Sequence, residues 1–197
     1  GHMARRPVYN LRHYLLQSGV AVADRPVPPL SLKLSAAELA EGQRVLDYFV
    51  CPARETICIY TYATGIKCYS REWWAAMYSQ LKEAFGETYN ILEVLPIENV
   101  SQINFEATAY YSDDIREIAA VMAHAALFVG ADSGMMHLAA ASGTPTVGLF
   151  SVTDPAVYRP YSGCNLAIDT NTTGAGGIIA ALRTILNYNR YLAPCNN

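Results

Sequence analysis

One stretch constrains this chain more than any other: Ala126 to Pro155, ALFVGADSGMMHLAAASGTPTVGLFSVTDP. Leu127-Phe128-Val129 is a short apolar run with the length and composition of a buried strand. The polar tip Gly130-Ala131-Asp132-Ser133-Gly134 follows, and an Ala-rich helix fits from Met135 to Ser142, stopped by Gly143 and Pro145. A second apolar run, Thr146 to Phe150, ends in the turn Ser151-Val152-Thr153-Asp154-Pro155. Strand, turn, helix and strand make a βαβ unit. The start of its helix aims backbone N–H groups at the carboxyl edge of a parallel sheet, where such folds bind anions.

The remaining elements predict the same architecture. Ser35-Ala36-Ala37-Glu38 is a capping box, so a helix is expected over about Ala36 to Phe49. Ile57 to Tyr60 reads as the first strand, and Ser70 to Phe85 as a helix carrying Trp73, Trp74, Met77, Leu81 and Phe85 at helical spacing, with Gly86 at its C′ position. These tryptophans read as packing residues. Further strands fit Tyr89–Leu95, Ala107–Tyr111 and Leu166–Ile168. Asp113 and Asp114 read as the acidic start of a helix with Ile115, Ile118, Ala119 and Met122 on one stripe, rather than as a paired-carboxylate site. A last helix fits Gly177–Tyr188. Alternating β and α elements imply an α/β fold: a Rossmann-like parallel sheet with helices on both faces.

The 197 residues suit one α/β domain with a full core, or a large piece of a two-domain protein. Hydrophobic content of 52% against 16% charged residues argues for a packed globule. A net charge of −3 supplies no global field for nucleic acid or an anionic membrane, and no apolar run is long enough for a transmembrane span. Five cysteines (Cys51, Cys58, Cys68, Cys164, Cys195) without a C-x-x-C pair read as reduced thiols, not as a zinc or disulfide framework. Gly1-His2-Met3 reads as a cloning scar, and residues 4–34 as an interdomain or linker segment. That segment has a short helix near Tyr9–Leu16, a surface histidine at His13 and the extended run Arg25-Pro26-Val27-Pro28-Pro29. The main domain is expected over 35–197.

The residues able to do chemistry gather at the expected strand ends. Gly134 lets the backbone approach a ligand, and the Ser133 hydroxyl can donate to phosphate, although Asp132 or Ser133 can equally be a plain helix cap. Asp132 suits a diphosphate only if it orients a donor or meets a sugar hydroxyl. His137 falls in the first turn of the same helix; a lone histidine there is more often a core residue. No second histidine stands at metal-ligand spacing, and the chain has neither G-x-G-x-x-G, nor a P-loop, nor a G-x-S-x-G triad motif. No metal or cofactor is expected.

DSGMMHLAAASGTPTVGLFSVTDP resembles the D-[ST]-G-x-x-H-L-A-A-A-x-G-x-P…TDP signature of the lipopolysaccharide heptosyltransferase family, glycosyltransferase family 9. The resemblance spans about residues 50–190 and implies the C-terminal, donor-binding half of an inverting GT-B glycosyltransferase. Such an enzyme uses ADP-heptose and a lipopolysaccharide-core acceptor. It implies a donor-phosphate set of Thr64, Gly65, Lys67, Asp132, Ser133, Gly134, Met135 and His137, with Glu98 on the ribose and Glu93 competing for that role. Lys67 keeps the family's lysine, whereas Cys68-Tyr69-Ser70 departs from the Arg-Trp-Pro-like run that usually follows it. Thr153 and Asp154 are expected chiefly to shape a turn. The acceptor cleft and general base are expected in an N-terminal half absent from this sequence, so no catalytic residue is assigned here. The expected location is cytoplasmic, with peripheral contact at the inner membrane face open to the parent enzyme. Alternatives are another GT-B nucleotide-sugar enzyme (a UDP-sugar transferase or epimerase) and a non-catalytic nucleotide-binding domain.

Overall fold

The computed structural model describes residues 1–191 apart from Ser162 and Cys164. The thiol expectation for Cys164 and Cys195 therefore lies outside the described residues, while Cys51, Cys58 and Cys68 are free thiols. In chain order the elements are α1 (Arg6–Gln17), α2 (Ala36–Phe49), β1 (Thr56–Tyr60), α3 (Arg71–Phe85), β2 (Asn90–Val94), β3 (Thr108–Tyr110) and α4 (Ile115–Ala123). They continue with β4 (Leu127–Ala131), α5 (Gly134–Ala141), β5 (Thr146–Phe150), α6 (Pro155–Tyr158), β6 (Leu166–Asp169) and α7 (Ala175–Tyr191).

Among the described residues six strands form one parallel sheet in the order β3-β2-β1-β4-β5-β6. Side chains alternate across it, so each strand feeds two cores. Ile57, Ile59, Leu127, Val129, Val147 and Leu149 pack beneath α3 and α7, against Trp74, Met77, Leu81, Phe85, Ile178 and Leu182. Cys58, Leu92, Val94, Phe128 and Phe150 face the other way, onto Leu46 of α2, Ile118 and Met122 of α4, and Met136 and Ala139 of α5. The largest of these side chains are almost wholly buried, each worth roughly 1.5–3 kcal/mol of transfer free energy.

Several local readings hold and several need correction. Ser35 and Glu38 form the full reciprocal capping box, and Glu38 also pairs with Arg116, tying α2 to the start of α4. Asp114, not Asp113, caps α4 by accepting from the N–H groups of Arg116 and Glu117. Ile115 points to solvent, 61% exposed, because the first residue of a capped helix precedes the turn that meets the core. Gly86 is not a left-handed C′ residue. Its φ is −61°, and it is glycine because a Cβ would stand 2.6 Å from the Lys82 carbonyl oxygen. Strand β4 runs on through Gly130 and Ala131, and a Cβ on Gly130 would stand 3.1 Å from the Phe128 ring and from the Tyr60 carbonyl oxygen. The turn after β5 becomes the short helix α6, capped by Asp154.

The N-terminal segment is a surface strap. Helix α1 buries no residue, and 18–35 has no regular structure. His13 is exposed. Residues 1–3 read as a scar on sequence, yet the structure buries His2: its Nε2 lies 2.8 Å from the Arg159 carbonyl and its ring 4.8 Å from that of Tyr161. Among the described residues no helix is long and apolar enough to cross a membrane.

Candidate functional site

The strand order reverses between β1 and β4, so their carboxyl ends, Tyr60 and Ala131, lie side by side with a crevice beyond them. Three loops meet there. Lys67, from the loop after β1, places Nζ 3.6 Å from Asp132 Oδ2, at the end of β4. Thr153, from the turn after β5, donates its hydroxyl to the same oxygen at 2.9 Å. Asp132 is nearly buried and Lys67 half-buried, its side chain 29% exposed. The carboxylate thus positions the Lys67 cation at the crevice and is itself held by the Thr153 hydroxyl. Thr153 does more than shape its turn; it holds Asp132 directly.

Ser133 caps α5, its Oγ accepting from the Met136 N–H at 3.3 Å, and keeps its own proton to donate. Since α5 begins at Gly134, the N–H groups of Gly134 and Met135 have no partner inside the helix. A Cβ on Gly134 would find no heavy atom within 4 Å, so the helix start opens onto free space. The Met135 side chain packs against the α2–α4–α5 core, leaving only its backbone for a ligand. His137 is half-buried one turn into α5, within electrostatic reach of Asp132, Lys67 and His2. Burial, opposed by Asp132 and assisted by His2 and Lys67, holds its pKa below the ordinary 6.5.

At neutral pH His137 is therefore uncharged and offers one N–H. Its folded pKa is depressed, so the native state gains from the neutral ring above pH 6.5 and loses that stability as pH falls below it. An NMR titration of the His137 ring should give a midpoint below 6.5 that rises when a diphosphate occupies the crevice. A midpoint unmoved by saturating diphosphate would separate His137 from the site.

The remaining sequence-picked residues divide. Thr64 and Gly65 are exposed on the Lys67 loop, and Gly65 uses its left-handed φ of 63° to start the tight turn that delivers Lys67. Glu98 is exposed beyond β2, close enough to Tyr62 for its charge to raise that phenol's pKa. Glu93 is fully buried: Thr61 donates to one oxygen at 2.6 Å and Ser101 to the other at 2.8 Å. It is built into the frame and is no competitor for a ribose.

Sequence reasoning missed the network around that carboxylate. Thr61 also accepts from the Gln102 N–H, Ser101 accepts from the N–H groups of Ile103 and Phe105, and the Gln102 amide reaches Cys68 Sγ at 3.6 Å. The loops after β1 and β2, which carry Lys67 and Glu98, are thereby strapped together. The one available signal was an acidic residue in the middle of an apolar strand. Among the described residues no group of three or more His, Cys, Asp or Glu is placed to hold a metal.

The geometry meets a consistent set of similarities. Residues 113–174 match the family model described as glycosyltransferase family 9 (heptosyltransferase). Over 46 residues the chain is 48% identical to lipopolysaccharide heptosyltransferase 3 of Escherichia coli, covering 23% of this chain and 14% of that protein. Of solved structures, the E. coli ADP-heptose LPS heptosyltransferase II aligns with a TM-score of 0.67 at 19% identity, over 85% of this chain and 57% of that one. A family 9 glycosyl transferase from Veillonella parvula aligns with a TM-score of 0.72 at 16% identity, over 88% and 58%. The chain thus spans little more than half the length of these two structures, and at such identities they speak for the fold alone. The family match runs across the β4-α5-β5 unit, where the chain is similar to glycosyltransferase family 9, and the wider chain shares its fold with these two structures.

Proposed function

We propose that this chain is the donor-binding half of an inverting glycosyltransferase that moves heptose from ADP-heptose to a lipopolysaccharide-core acceptor. One observation carries the reading: Lys67 and the open start of α5 converge on Asp132 at the sheet's switch point. A diphosphate seated there accepts from the N–H groups of Gly134 and Met135 and from the Ser133 hydroxyl, with Lys67 as its cation. The relative named as an ADP-heptose enzyme supports the choice of donor, and Glu98 beyond β2 suits the ribose hydroxyls.

The chemistry assigned to this half is assistance to a leaving group. As the sugar departs, charge builds on the diphosphate, and donors already oriented by Asp132 and Thr153 stabilise that charge without reorganising. The general base and the acceptor cleft belong to the other half of the enzyme in this reading, so the chain alone binds nucleotide and does not turn over.

Calorimetric titration with ADP, UDP and GDP tests the proposal. ADP should bind most tightly, and Lys67→Ala should weaken it at least about tenfold, the scale of one charge-assisted hydrogen bond of about 1.5–3 kcal/mol. Tighter binding of UDP points to a UDP-sugar enzyme. Unchanged affinity in a folded Lys67→Ala variant favours a non-catalytic domain. Robust sugar transfer by this chain alone removes the premise of a base elsewhere.

A further inference from the structure

A second charged feature lies outside the crevice. Arg5, Tyr9 and Arg12 recur at offsets of four and seven, which puts them on one face of α1. The returning segment Asp24–Val27 crosses that face, and the two enclose a groove of about 350 Å³ whose other wall includes Arg25. Arg12 fastens the crossing by donating to the Arg25 carbonyl and standing 3.8 Å from Asp24. The far side is held where Tyr161 donates to the Val27 carbonyl at 3.4 Å.

The charge in this groove is unbalanced. Among the described residues, Arg12 alone of the three arginines has a carboxylate partner. Arg5 meets neutral phenols: its Nε donates to Tyr161 Oη at 3.1 Å, its guanidinium lies 5.6 Å above that ring, and Tyr9 stands nearby. Arg25 is exposed and has no ion-pair partner among the described residues. The helix adds to the imbalance. Arg5 and Arg6 occupy its start, where the dipole penalises cations, and no acid stands in the first turn. In a chain of net charge −3, three guanidinium groups lining one groove against a single carboxylate are set for an oxyanion.

We propose that the groove between α1 and Asp24–Val27 is a second anion site, which takes a phosphate group through Arg5 and Arg25. The proposal does not rest on the donor reading, because the residues lining this groove are not those that meet Asp132. The phosphate can belong to a soluble ligand or to a lipid headgroup, and the test separates these sources.

The whole chain carrying Lys67→Ala, chosen to weaken the proposed donor crevice, is titrated at low ionic strength with inorganic pyrophosphate and, separately, with phosphatidylglycerol and phosphatidylcholine vesicles. Binding is read by calorimetry and by amide shifts in 8–12 and 24–27. Pyrophosphate binding that falls at least tenfold with Arg5→Gln plus Arg25→Gln, and is untouched by the exposed pair Arg54→Gln plus Arg183→Gln, supports a soluble phosphate ligand. The same dependence seen only with phosphatidylglycerol vesicles supports a lipid phosphate. Both arginine pairs lie on the surface, and circular dichroism checks that they fold. Absence of binding in both arms, or equal weakening by the two pairs, overturns the site.

Discussion

Gly42→Val is expected to cost at least about 3 kcal/mol of stability, enough to unfold a marginal domain near physiological temperature. Gly42 is buried where α2 crosses α4, and a Cβ there would stand 2.5 Å from the Ala120 carbonyl carbon, 2.6 Å from its oxygen and 2.7 Å from its Cβ. Two of those atoms are backbone, so no rotamer change relieves the overlap; the helices must separate. Separation would also strain the bonds on either side of the crossing, Glu38 to Arg116 and His124 Nε2 to the Leu39 carbonyl at 2.7 Å. Helix propensity pushes the other way, since glycine inside a helix is about 1 kcal/mol worse than alanine. That opposition makes Gly42→Ala diagnostic: an isolated α2 peptide should gain helicity while the protein's urea midpoint falls. A midpoint that rises with the peptide's helicity would show that α2 and α4 are not in close contact.

Much of this molecule was legible in the sequence because its local signals agree with its tertiary ones. The Ser35–Glu38 capping box bounds α2 as drawn, the Thr146–Phe150 run is β5 to the residue, and alternation of apolar runs with helical stripes suffices for a parallel sheet. Lys67, Asp132, Ser133 and Gly134 were nominated from sequence, and the fold brings the first two within 3.6 Å from residues 65 positions apart. What stayed hidden depends on packing partners. Gly86 resembles a C′ glycine until the Lys82 carbonyl shows why a side chain cannot fit. Thr153 resembles a turn residue until Asp132 lies beside it. No local pattern reveals that His2 finds a seat against Tyr161, or that Gly42 is the contact point of two helices with three strands between them in the chain.

Glu93 carries the second large expectation, because it sits where frame and site meet. Its carboxylate is the shared acceptor for Thr61 and Ser101, whose hydroxyls in turn accept the N–H groups of Gln102, Ile103 and Phe105. Glu93→Ala removes that acceptor and opens a cavity. Two buried hydroxyls lose a partner at roughly 1–3 kcal/mol each, so a loss of about 3–5 kcal/mol is expected. The loss should be local before it is global: amide exchange at Gln102, Ile103 and Phe105 should accelerate ahead of the β1 and β4 amides. Glu93→Gln keeps the shape but turns a donor toward one hydroxyl, so it should fall between the two and change the pH response. Burial raises the pKa of Glu93 above the usual 4.5, against the lowering effect of its two hydroxyl donors. A raised folded value means that the protonated native state is favoured, so the contribution is complete below pH 4.5 and is lost as pH rises through the folded pKa. Wild type should therefore lose stability across that interval relative to Glu93→Gln, whose side chain cannot titrate. If both proteins show the same stability profile from pH 4 to 7, Glu93 is not titrating in the core. The exchange data on Glu93→Ala then decide whether it still ties the Lys67 and Glu98 loops together.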